Sequence, residues 1–276
     1  MTTRVALVQQ AASTDERANL ERGIRAVKEA AGAGARIVAF AELAFQRFHP
    51  QVPAGPDILS KAETIPGPTT EIFQRLAGDL GVVIVLNLFE RQGTDTYDAS
   101  PVIDADGRLL GTTRMVHIME GPCFHERGYY RPGDGRDIVF ETRAGNIGVA
   151  ICYDRHFPEY MRALRIRGAE LVLIPQAGAV GEWPEGLFEA EVRVAAFQNG
   201  YFCGLVNRVG PEEKLTFAGE SFMADPDGRI LARAAAGRDE ILYVDCDLEE
   251  TRRCHAARHF WPDRRPDLYR TFDGGE

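Results

Sequence analysis

Apolar and polar positions along this chain follow two periods, one of strands and one of helices. The run "RVALVQQ" at residues 4–10 predicts a short buried strand. In "TDERANLERGIRAVKEAAGAG" a capping residue precedes apolar positions at Leu20, Ile24 and Val27, and glycines follow, which predicts a helix with a marked stop. "RIVAF" then predicts a second strand ending at Ala41-Glu42, and a second helix over 69–80 leads through Gly81 into "VVIVLNLFE", read as one strand. "YDASPVIDADGRLLGTTRMVHI" predicts two strands joined at Ala-Asp-Gly, and "IVFETRAGNIGVAI" a hairpin closed by Ala-Gly-Asn. Further on, residues 158–168 and 185–199 predict helices, while "AELVLIP", "YFCGLVNRVG", "SFMADPDGRILARA" and "ILYVDCDL" predict strands.

Strands and helices alternate, yet hairpins intrude, so a purely parallel sheet does not fit. Two mixed sheets packed face to face with helices outside fit better. A length of 276 residues allows one large α/β domain or two modest ones. No low-complexity linker or repeat divides it, so residues 1–276 read as one domain ending in a polar, arginine-rich tail over about 251–276.

Composition narrows the function classes. A content of 45% hydrophobic and 26% charged residues is that of a soluble globular protein. The net charge of −9 argues against a nucleic-acid partner. No run approaches the roughly 20 apolar residues that span a bilayer, and the N-terminus lacks a secretory pattern, so no membrane partner is expected. The cysteines at 123, 152, 203, 246 and 254 are odd in number and form no CxxC pair, as expected of free thiols in a reducing cytoplasm. The histidines are scattered without ligand spacing, and no metal or other cofactor is expected.

Three residues could carry chemistry. In "GNIGVAICYDRHFPE" the apolar run 147–151 delivers Cys152 into a segment that starts like a helix. Backbone N–H groups and the helix dipole at such a junction favour a thiolate and a developing oxyanion. A buried, inert cysteine is the competing reading. Glu42 directly follows an apolar strand, at a sheet edge where sites form, or is a solvated strand end. Glu126 in "CFHERGYYRPGD" is a loop charge until something gives it a partner.

The order of segments supplies that context. "AFAEL", "GTTRMVHI", "HERGYYRPGD", "NIGVAICYDRHFPE", "GAELVLIP", "FQNGYFCGLVNRVG", "FAGESFMADPDGRIL" and "RRPDLY" together resemble the carbon–nitrogen hydrolase, or nitrilase, superfamily, from residue 4 to about 270. The resemblance implies an α-β-β-α sandwich and a Glu-Lys-Cys site that hydrolyses amides or nitriles through a thioester. It matches Cys152 to the nucleophile, Glu42 to the general base and Glu126 to a supporting glutamate. The residue after the nucleophile, Tyr153, would give a backbone N–H to the oxyanion hole.

One position departs from the pattern. The family's lysine lies two residues before the histidine that matches His117, and here that position holds Met115. Ala41 replaces the proline that usually precedes the base, and Asp98 replaces an asparagine in "YDAS". Lys28, Lys61 and Lys214 all lie in unrelated segments. A thioether donates no proton. Three readings stay open: a modified mechanism that uses another group such as Arg114, a catalytically impaired member acting as a binding or scaffold protein, or an introduced substitution. If the pocket is retained, Met115 should project into it beside Cys152, and at least one carboxyl should titrate above its usual range.

Substrate hints are fewer. Arg155 occupies a place seen in members that hydrolyse N-carbamoyl amino acids, where an arginine pairs with a substrate carboxylate. A structural pairing with Glu159 competes with that reading. His125 and Arg131 could line the mouth. The expected partner is a small linear amide, most plausibly an N-carbamoyl compound, with nitriles a weaker alternative. Homodimers or higher homo-oligomers are expected from the resemblance, through apolar positions in "PEYMRALRIRGA" and "GLFEAEVRVAAFQNG" unless these only cover the chain's own sheet. Trp261 and Pro262 should pack on the sandwich or a partner subunit.

Overall fold

The computed structural model describes residues 2–272. Its first strands are β1 (Thr2–Gln9), β2 (Ile37–Phe40), β3 (Val83–Val85), β4 (Leu88–Gln92), β5 (Asp95–Ile103) and β6 (Leu109–Arg114). Then come β7 (Val139–Thr142), β8 (Gly145–Val149), β9 (Leu171–Gln176), β10 (Phe202–Asn207), β11 (Val209–Pro211) and β12 (Thr216–Ala218). The last are β13 (Phe222–Ala224), β14 (Ile230–Arg233) and β15 (Glu240–Asp247). The helices are α1 (Glu16–Gly32), α2 (Ile58–Lys61), α3 (Pro68–Leu80), α4 (Pro158–Ile166), α5 (Leu187–Asn199) and α6 (Pro266–Phe272).

Two large mixed sheets result. The first runs β15-β1-β2-β3-β5-β4, with β6 on β5, and the second runs β14-β13-β10-β9-β8-β7. Strands β1, β2 and β3 are parallel, as are β8, β9 and β10, while antiparallel strands flank each set. The period of two along each strand then sorts side chains into layers. Val5, Leu7, Ile37 and Ala39 of one sheet meet Ile147, Val149, Leu171 and Leu173 of the other in a shared core. On the outer face of the first sheet, Ala6, Val8 and Val38 pack on Val27 of α1 and Phe73 of α3. On the outer face of the second, Val172 and Ile174 pack on Leu164 of α4 and Val192 of α5. This is the expected four-layer α-β-β-α sandwich.

Several boundaries differ from the sequence reading. "VVIVLNLFE" is two strands rather than one, because the chain breaks at Leu86-Asn87 and turns the Asn87 side chain inward onto Asp98, Ser100 and the Leu43 N–H. The β7–β8 hairpin pairs Thr142 with Gly145, so Arg143 and Ala144 form the turn instead of Ala-Gly-Asn. The polar tail is ordered over its described part: Cys254 and Ala256 are buried, and the Trp261 indole donates to Asn199 O at 3.2 Å. Trp261 thus packs on the chain's own sandwich. Residues 273–276 of that tail lie outside the described residues.

Most of the apolar stripe on α4 and α5 covers the chain's own sheet through Tyr160, Met161, Leu164, Val192, Ala195 and Ala196. Ile166, Leu187 and Val194 remain exposed. Among the described residues, no helix is long and apolar enough to cross a membrane.

Candidate active site

Each sheet sends one chain end into the same space. Glu42 lies two residues beyond β2 of the first sheet, and Cys152 three residues beyond β8 of the second. Both therefore sit at the carboxyl ends of parallel strands, where backbone groups run out of sheet partners and sites form. Glu126 reaches the same space from the short turn Glu126–Gly128. One carboxyl oxygen of Glu42, one of Glu126 and the Cys152 sulfur lie within 4.8 Å of one another, and all three residues are buried.

Local backbone geometry presents these groups. Cys152 has φ of 44°, as does Leu43 next to Glu42, a left-handed conformation that non-glycine residues seldom adopt. At Leu43 the N–H is held by Asn87 Oδ1 at 2.7 Å. Below Cys152, the Asp154 carboxylate accepts from the N–H groups of Ile151 and His117 at 3.3 and 2.9 Å, and bonds His117 Nδ1 at 2.8 Å. Asp154 thereby ties the cysteine turn to the segment that carries Met115.

Met115 is fully buried in the core cluster that includes Cys152. Its N–H donates to Asp98 O at 2.9 Å and its carbonyl accepts from Gly133 N at 2.7 Å. Gly133 is required there, since a Cβ would stand 2.4 Å from Arg114 O. Arg114 does not replace a missing cation. Its guanidinium makes a bidentate pair with Glu90 at 2.7 and 2.6 Å and covers the Tyr97 ring at 4.0 Å.

Sequence reading noted Asp98 only as a departure. In the fold it is fully buried, takes a 2.5 Å bond from Asn87 Nδ2 and lies against the Glu42 carboxyl. No signal in "YDAS" could have found this, because the contact depends on strand pairing. Tyr130 was likewise missed: it is buried, its hydroxyl has no hydrogen-bond partner, and it feels the charges of Asp98, Glu42, Glu126 and Cys152.

Burial dominates the electrostatics. It raises the Glu42 carboxyl well above the usual carboxylate range, and Asp98 and Glu126 add to the rise. Asp98 is pushed up to about 7, again by burial first, with Asn87 opposing. Glu126 is raised well above its ordinary value by burial and by Asp98, against one N–H from Met119. The expectation that at least one carboxyl titrates high is met by these three. The expectation that the junction lowers the Cys152 thiol is not met. Burial, Glu42 and Glu126 push it well up, and only Arg155 pulls the other way. The cysteine opens a single short turn, Cys152–His156, whose dipole is weak against two adjacent carboxyls.

No N–H reaches either oxygen of Glu42, so a proton shared with Asp98 or drawn from the Cys152 thiol is what can satisfy them. A buried carboxyl raised above its ordinary range, in contact with a thiol, can take and return a proton. The spacing of Glu42, Glu126 and Cys152 would also suit a metal ion, though the set contains no imidazole.

Stability should report this proton retention. Glu42, Asp98 and Glu126 stay protonated to higher pH when folded than when unfolded, so the folded state binds more protons. Their contribution is complete below the ordinary carboxylate range and is lost as pH rises through the raised folded-state values, about 7 for Asp98. The melting temperature should therefore fall from pH 5 to pH 8, and Asp98→Asn should flatten part of that fall. An unchanged slope in the variant would mean that Asp98 is already ionised at pH 5.

The remaining candidates divide. Arg155 is buried, donates to Cys152 O at 3.0 Å and to Gln176 Oε1 at 2.7 Å, and pairs with Glu191 at 3.4 Å rather than with Glu159. Its Nη2 has no partner. Tyr153 directly succeeds Cys152 in the same turn. His125 is turned to Glu120 at 3.2 Å, and Arg131 is solvent-exposed beside Asp95 at 3.3 Å. Neither joins the cysteine cluster.

A sandwich that buries a cysteine and carboxyls between the ends of its two sheets defines a nitrilase-type fold. The chain belongs to the carbon–nitrogen hydrolase family, which it matches over residues 4–256. It is 35% identical to N-carbamoylputrescine amidase of Solanum lycopersicum, over 98% of this chain and 95% of the other. Its fold is similar to a carbon–nitrogen hydrolase from Helicobacter pylori, at a TM-score of 0.90 and 27% identity, covering 99% of this chain and 98% of that one. It also resembles an amidase variant from Nesterenkonia sp. whose active-site cysteine carries the acetamide moiety of fluoroacetamide, at a TM-score of 0.81 and 25% identity, covering 98% and 96%.

Proposed function

We propose that this chain hydrolyses a carbon–nitrogen bond of a small linear compound bearing an N-carbamoyl or related amide group. The convergence of Glu42 with Cys152 inside a buried, carboxyl-lined space carries the reading. Glu42 takes the thiol proton, Cys152 sulfur attacks the carbon, and the amine leaves with a proton from Glu42, which leaves a thioester-type intermediate. Water, deprotonated by Glu42, then releases the acyl group. Glu126 positions the reacting group and relays protons, and the Tyr153 N–H meets the developing oxyanion.

Likeness to N-carbamoylputrescine amidase over nearly the whole chain supports the carbamoyl class. The unpartnered Nη2 of Arg155 supports a substrate with a carboxylate. None of the relatives described above supports a scaffold role. The reading includes a cytoplasmic homo-oligomer, supported by the free cysteines and by the exposed Ile166, Leu187 and Val194.

Ammonia release from 3-ureidopropionate, N-carbamoylputrescine, simple amides and a nitrile of equal length tests the proposal. Turnover of the carbamoyl compounds is expected. Turnover of the nitrile alone would replace the reading by a nitrilase.

A further inference from the structure

The charge around the thiol is one-sided. Glu42, Asp98 and Glu126 surround it with carboxyls, and no N–H reaches four of their buried oxygens: both of Glu42, Oε1 of Glu126 and Oδ2 of Asp98. The buried Tyr130 hydroxyl near them is unpartnered. Against these stands one guanidinium, Arg155, already engaged with Cys152 O, Gln176 and Glu191. Lys61 is paired with Asp57 and Lys214 with Glu213. Met115 adds only a neutral thioether.

Thiolate attack on a neutral carbonyl creates an oxyanion, and these carboxyls bring no positive charge to meet it, whereas a bound cation draws off their protons and pairs with the carboxylates. Attack on a cationic carbon destroys charge instead, and such a pocket favours it. A planar amidinium also brings an array of N–H donors to oxygens that no N–H of the chain reaches, whereas an amide brings two N–H groups and one more acceptor. The guanidino group has the shape of the carbamoyl-amino group, with a protonated nitrogen in place of oxygen. We infer that, beside a carbamoyl or amide carbon, Cys152 attacks the carbon of a cationic amidinium or guanidinium group held by Glu42, Asp98 and Glu126, and that the pocket prefers the cation. The inference rests on the reading of Cys152 as nucleophile.

The step balances without a co-reactant. Glu42 takes the thiol proton, and the C–S bond forms as the amidinium C=N electrons move to nitrogen, giving a neutral tetrahedral adduct. Glu42 returns the proton to one nitrogen, which leaves as ammonia with the C–N electrons. Water adds to the resulting thioimidate cation and gives a proton to Glu42. Collapse expels the thiolate, which takes the hydroxyl proton, so the product is an amide or, from a guanidine, a urea. The proton on Glu42 passes to ammonia.

Chloroacetamidine and chloroacetamide are near-isosteric alkylating agents that differ in charge. Their labelling rates at Cys152, followed by mass spectrometry, should differ about 100-fold in favour of the amidine, beyond the ratio seen in urea-unfolded protein. Asp98→Asn should cut that preference about 10-fold, and Met115→Lys should reverse it; if the lysine variant does not fold, Asp98→Asn carries the comparison. Hydrolysis of 3-guanidinopropionate to 3-ureidopropionate and ammonia is expected alongside. Equal labelling, with turnover of ureido compounds only, would overturn the inference and leave the proposed function standing. No labelling above the unfolded chain by either reagent would overturn both. A preference that changes when EDTA is added would assign the cluster to a metal ion and overturn the inference.

Discussion

Cys152→Ala should abolish turnover, lowering kcat by roughly 10⁴-fold or more while the protein stays folded. Among the described residues Cys152 supplies the only thiol within the carboxyl cluster, and other buried thiols, such as Cys203 and Cys246, belong to strand cores. Cysteine to alanine removes a single sulfur, so the cavity left at this buried position is small and the melting temperature should shift little. Glu42→Gln should be the milder change, roughly 10²–10⁴-fold, because water or Asp98 still accepts protons but without the same contact to sulfur. Rates by ammonia release and intact mass after incubation with substrate would check both. Wild-type turnover in the alanine variant would end the covalent mechanism.

The layers were readable because apolar positions two apart must share a face, and "RVALVQQ" and "GNIGVAI" obey that rule in β1 and β8. Glu42, Glu126 and Cys152 were readable through family resemblance, and each proves to be buried beside the others. What pattern alone could not supply was convergence. Asp98 meets Glu42 only after β4 and β5 pair and the chain breaks at Asn87. A local reading of "CYDRHFPE" puts Arg155 near Glu159, whereas the fold brings Glu191 from α5 to it. The rise of the Cys152 thiol, opposite to what a helix start suggests, comes first from burial and then from carboxyls that arrive from distant segments.

Arg208 illustrates the same limit and gives the largest expected loss of stability. It belongs to "YFCGLVNRVG", read in the sequence as a strand and as part of the family resemblance but with no role for the arginine, and it is among the largest fully buried side chains. Its guanidinium donates to Glu42 O at 2.7 Å, to Leu43 O, to Gln46 O at 2.9 Å and to the carboxylate of Glu212, over the Phe217 ring at 5.0 Å. Glu212 in turn accepts from Phe48 N at 2.9 Å and Gln51 Nε2 at 2.8 Å. One ion pair therefore fixes the loop that carries the proposed base. Arg208→Met would leave the buried Glu212 charge with Arg47 at 3.9 Å in place of its close guanidinium partner, and would take one donor from each of three carbonyls. Breaking such a pair from one side costs about 3–5 kcal/mol. That corresponds to a fall of roughly 10 °C in melting temperature for a chain of this size. Glu42 would also lose its backbone anchor, and a displacement of about 1 Å can cost 10²-fold in rate. The double variant Arg208→Met, Glu212→Gln should recover part of the stability, since the uncompensated charge is gone, but not the rate. Thermal melts of the single and double variants would decide the matter. A single variant that melts within about 2 °C of the wild type, a shift of about 1 kcal/mol at most, would show that Arg208 does not hold this loop.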